Sequence, residues 1–214
     1  MAPLWNGLVT QFLHEEWERA RAEGNDEVAA TLIEDALFLR TTYQSHLFAT
    51  ALGQHYGLPT TGLDVTSQLL PALFFAFVSL ERVREGWFTA VPAANQGGLP
   101  VLYILLPPPQ NTNAYYTYGP SDIGINRPRA QSAHFMHSGW GTSANDAARR
   151  ILLALYLDFD PEGQIELPKS AELFPAQGND RFGDFVEKTS KRNIPEALKE
   201  YLGRFYWVIN EGGV

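Results

Sequence analysis

Residues 54–76 read Gln-His-Tyr-Gly-Leu-Pro-Thr-Thr-Gly-Leu-Asp-Val-Thr-Ser-Gln-Leu-Leu-Pro-Ala-Leu-Phe-Phe-Ala. The stretch passes through three segments of different character. A helix from about Gln44 to Tyr56, with Leu47, Ala51 and Leu52 on one face, is stopped by Gly57 followed by Pro59. Thr60 to Thr66 is short and extended. Thr66 or Ser67 then caps an apolar helix expected from Gln68 to about Arg84, with Pro71 in its first turn, where a missing N–H costs little. The run Leu73-Phe74-Phe75-Ala76-Phe77-Val78 is apolar all round, which predicts a central, buried helix.

Upstream, Leu8, Phe12 and Trp17 give rough helical spacing until Gly24-Asn25 stops it. Asp26 is placed to cap a second helix carrying Val28, Leu32, Ile33, Ala36 and Leu37. Together they predict a helical hairpin, with Glu15-Glu16 on its solvated face. Downstream, Leu99 to Leu106 reads as a buried strand stopped by Pro107-Pro108-Pro109, and Ile151 to Phe159 as a second buried strand ended by Asp160-Pro161. Residues 110–145 are rich in Asn, Tyr, Gly, Ser and His, long for a connection, and such loops are often functional. Within them Tyr115-Tyr116-Thr117-Tyr118 reads as an edge strand with alternating aromatics in preference to a base-stacking platform. Arg181 to Val208 reads as one helix broken near Pro195. The sum is an α+β protein: a small mixed or split β-sheet with packed helices and the N-terminal hairpin as an accessory layer. Residues 1–37 form that accessory region and 38–214 the α+β domain, treated as one domain overall.

Composition narrows the classes. With 214 residues, 45% of them hydrophobic, and 13 Phe, the chain can fill a core and is not disordered. A net charge of -8 argues against a broad nucleic-acid interface. The pairs Arg127/Arg129 and Arg149/Arg150 read as solvated charge. The absence of cysteine excludes disulfides, thiolate metal sites and a cysteine nucleophile, and fits a cytoplasmic protein. Residues 1–13 lack the basic start and apolar run of a signal peptide, and no segment approaches the roughly 20 apolar residues of a membrane span.

The residues themselves leave their chemistry open. His55 sits at a helix C-terminus, where an imidazole either satisfies free carbonyls or serves a site. Asp64 precedes a buried helix, so its carboxylate must be paired, act as a cap or be functional. Thr66 is the natural N-cap, and the same helix start would attract an anion. Gln54 and Gln131 read as surface polar residues. His134 and His137 would be near-neighbours if helical, and with His55 and Asp64 could make a metal-dependent hydrolase. Their spacing matches no zinc pattern. Ser138-Gly139-Trp140-Gly141 lacks the glycine that a nucleophile elbow needs two residues before its serine.

Gln54-His55-Tyr56-Gly57-Leu58-Pro59-Thr60, Leu63-Asp64, Thr66 and Ala72-Leu73 with Phe75-Ala76 resemble the core of the FRG domain family, whose pattern can be written QHYGLPTRLLDWT followed by an ALxFA helix. Arg127 to Phe135 resembles the family's later stretch, in which an Arg is followed by Gln, Gly and Phe, so the likeness spans residues 38–140. There are departures. The Phe/Tyr-Arg-Gly tripeptide that names the family does not occur, its nearest text being Phe38-Leu39-Arg40. The Arg after Pro-Thr is Thr61 here, and the Trp after Asp is Val65.

The order of parts in that family is similar to that of ADP-ribosyltransferase-type folds. The resemblance therefore implies a nucleotide-binding cleft with NAD as cofactor and no metal. His55, Asp64 and Gln131 would be its catalytic residues, with Gln54, Thr60, Thr66 and Arg127 as ligand-binding residues. Thr66 and the helix start would hold phosphates, and Arg127 would neutralise them. The alternative that the resemblance implies is a non-catalytic sensing or protein-interaction module of a bacterial or phage defence or stress protein, with a protein partner and no membrane.

Overall fold

The computed structural model describes residues 2–41, 44–57, 60, 62–93, 98–106, 115–117, 125–137, 147–192, 194, 196, 199 and 202–209. Leu58, Pro59, Thr61, Pro107-Pro108-Pro109, Tyr118, Ser138-Gly139-Trp140-Gly141 and Pro195 lie outside them. By the proximity of backbone segments in space the chain divides into two compact units, the first made of Met1–Thr60, Tyr118–Asn126 and Gln177–Phe205, the second of Thr61–Thr117, Arg127–Ala176 and Tyr206–Val214.

The first unit is helical: α1 (Ala2–Ala22), α2 (Asp26–Thr41), α3 (Gln44–His55) and α7 (Arg181–Ser190). The expected hairpin is present as α1 and α2. Its second helix is capped by Asn25 and not by Asp26: Asn25 Oδ1 accepts the Val28 N–H at 3.2 Å. Phe12, Tyr56, Phe182 and Phe185 form the aromatic centre of this unit, with Phe12 and Tyr56 each meeting the Phe182 ring edge-on at 5.0 Å. The expected C-terminal helix forms only over α7; beyond it, in the second unit, residues 207–209 are a strand.

The second unit holds three small sheets. The first orders its strands β1 (Gly62–Thr66), β6 (Ala133–His137), β5 (Tyr115–Thr117); the second orders β2 (Val78–Arg84), β3 (Trp87–Pro92), β8 (Trp207–Ile209); the third pairs β4 (Val101–Leu105) with β7 (Ile151–Tyr156). All pairings are antiparallel except β3 with β8. The helices here are α4 (Leu69–Phe77), α5 (Asn126–Ala130) and α6 (Ser170–Leu173). Tyr115–Thr117 is an edge strand, as its alternating aromatics predict. The architecture is α+β.

Two further expectations are overturned in this unit. The apolar helix ends at Phe77, and Val78 turns extended (φ -124°, ψ 132°) to open β2. An all-apolar run carries no period to mark that switch. Tertiary packing decides it: Val78 and Leu80 lie on the cluster of Phe74, Leu173, Phe174 and Val208. The second correction concerns Ile151 to Phe159. It is a strand to Tyr156, but every residue of β7 is exposed, so its apolarity does not report burial in this chain. The strand expected over Leu99 to Leu106 forms as Val101–Leu105, with Tyr103 and Ile104 exposed.

Candidate functional site

In the second unit the signature strand and the later Arg–Gln stretch meet. β1 lies against β6 with Asp64 opposite Phe135 and Thr66 opposite Ala133. Gly62 lies beneath the Phe135 ring, and a Cβ built there would collide with the ring atoms. At the strand's end the Thr66 hydroxyl donates to the Gln131 carbonyl at 2.9 Å and accepts the Gln68 N–H at 3.1 Å. Thr66 thus ties strand to helix, while the N-cap position of α4 is Gln68, with no side-chain cap. The buried Gln131 side chain donates to the Leu173 carbonyl at 3.1 Å.

Arg127, on the short helix α5, is 0% exposed. One of its N–H groups donates to the Tyr206 carbonyl at 3.2 Å. Its guanidinium lies 5.0 Å from the Tyr206 ring centre, 5.7 Å from Trp207 and 5.9 Å from Phe174. Three rings around a desolvated cation are a strong cation–π setting. Burial pushes the Tyr206 phenol above its ordinary pKa of 10.0; the nearby Arg127 charge opposes this and the Asp64 carboxylate adds to it. Asp64, Arg127 and Tyr206 therefore form one electrostatic group. Burial also holds His134, on β6, below the ordinary imidazole value. Because β6 is a strand, the helical adjacency expected of His134 and His137 does not arise. Among the described residues no three His, Asp or Glu side chains are grouped to hold a metal ion.

In the first unit, His55 is buried at the last turn of α3, and the Gln54 side-chain oxygen accepts from the Thr60 hydroxyl. The neighbouring Tyr56 hydroxyl donates to Asp180, the N-cap of α7. The predicted residues thus fall into two sets, Gln54, His55 and Thr60 in one unit and Asp64, Thr66, Arg127 and Gln131 in the other. Sequence reading missed Asp180, Phe174, Tyr206 and Trp207. Asp180 has the form of an N-cap, a cue present in the text; no local spacing points from Arg127 to the three rings around it.

These features define an α+β protein with a signature strand braced by a buried Arg–aromatic cluster. The family model for the FRG domain matches residues 7–85, and the chain carries an FRG domain there. The match begins inside α1 and ends at the β2–β3 turn, so it takes in the hairpin and stops before Arg127. Neither the curated proteins nor the solved structures compared with the chain include a match. Among the described residues no helix is long and apolar enough to cross a membrane.

Proposed function

We propose that this chain, FRG domain and the strands that follow it together, is a non-catalytic protein-interaction module. The observation that carries the reading is the state of Arg127. A phosphate-neutralising arginine must reach its ligand, and this one is wholly buried and engaged with Tyr206. Thr66 and Gln131 support the same reading, since their polar atoms already serve backbone groups. Polar groups committed inside a fold are costly to withdraw for a ligand. The exposed apolar strand β7, with Tyr103 and Ile104 of β4, supplies the kind of surface that protein partners cover.

A second reading is nucleotide binding with transfer of ADP-ribose from NAD. One observation favours it: α4 starts without a side-chain cap, directly after Thr66 and beside exposed Ser67 and Gln68. Free N–H groups at a helix start attract phosphate. In this reading Asp64 orients the ribose or the acceptor.

A thermal-shift panel with NAD, ADP-ribose and ATP, paired with an assay for nicotinamide release, separates the two. A ligand at a hundredfold its Kd stabilises by about 2.7 kcal/mol, a shift of roughly 5–10 °C for a chain of this size. The interaction module predicts no such shift and no nicotinamide. A shift with NAD or ADP-ribose accompanied by nicotinamide release overturns it in favour of the transferase.

A further inference from the structure

We draw no further inference here: the strongest candidate, the exposed apolar strand β7 with Tyr103 and Ile104 of its ribbon partner β4, carries nothing because nothing in the structure shows what covers it.

Discussion

The Tyr56 hydroxyl donates to both carboxylate oxygens of Asp180, at 2.8 Å each, bridging 124 positions of sequence. Asp180 also accepts the Gly183 N–H at 3.3 Å as the N-cap of α7. One carboxylate therefore joins the end of the signature helix to the start of a distant one, and Tyr56 stacks on Phe205 and meets Phe182 in the same centre.

Tyr56→Phe keeps the ring and removes the donor. A hydrogen bond to a buried charged group is worth about 1.5–3 kcal/mol, and the loss should appear in full in denaturant unfolding. Asp180→Asn should cost less in the Tyr56→Phe background than in the wild type, with a coupling above about 0.5 kcal/mol. Additive losses would mean that the two side chains act independently.

Gly62 is the second expected point of sensitivity. The Phe135 ring occupies the space of its missing side chain. Gly62→Ala forces ring or strand to move and should destabilise by about 1–3 kcal/mol, as overpacking does. Phe135→Leu in the same chain should recover part of that loss. Thermal unfolding of the four variants in the cycle measures it; a stable Gly62→Ala protein would mean that the ring moves freely.

How far the text of the sequence reached depends on where each contact lies. The helical hairpin and α3 were legible because their apolar spacing and Gly-containing stops are local. The edge strand at Tyr115 was legible from alternation. The switch from α4 to β2 was not, because the run through Phe77 and Val78 is apolar on every side and long-range packing sets its end. The strand at Trp207 was invisible for a related reason: its parallel partner β3 lies far upstream, and the Trp207 N–H bonds to Gly86. For the candidate site, the text selected Thr66, Arg127 and Gln131 but not what they touch. Thr66 reaches a carbonyl 65 positions away and Arg127 one 79 positions away, distances over which no spacing rule operates.

Arg127 should behave as a brace. Arg127→Ala loses a desolvated cation–π contact and hydrogen bonds from a charged group, together about 3 kcal/mol or more. Arg127→Lys keeps the charge but not the planar fork, and should retain only part of the stability. The readout is the melting temperature together with near-UV circular dichroism from Trp207 and Tyr206. An Arg127→Ala protein as stable as wild type would remove the bracing role and reopen a ligand role for this residue.

The last prediction concerns acid. Burial lowers the His134 pKa from its ordinary 6.5. Below pH 6.5 the unfolded chain takes up a proton at this imidazole while the folded chain does not yet do so. Unfolding is then favoured, and stability falls as pH drops from 6.5 toward the lowered value. Above pH 6.5 both states hold a neutral imidazole and the contribution is flat. His134→Gln cannot titrate, so its stability should change less than that of the wild type between pH 7 and pH 5. Denaturant midpoints across that range make the comparison, with the other His residues common to both proteins. Parallel curves for the two would show that His134 titrates alike in the folded and unfolded chains.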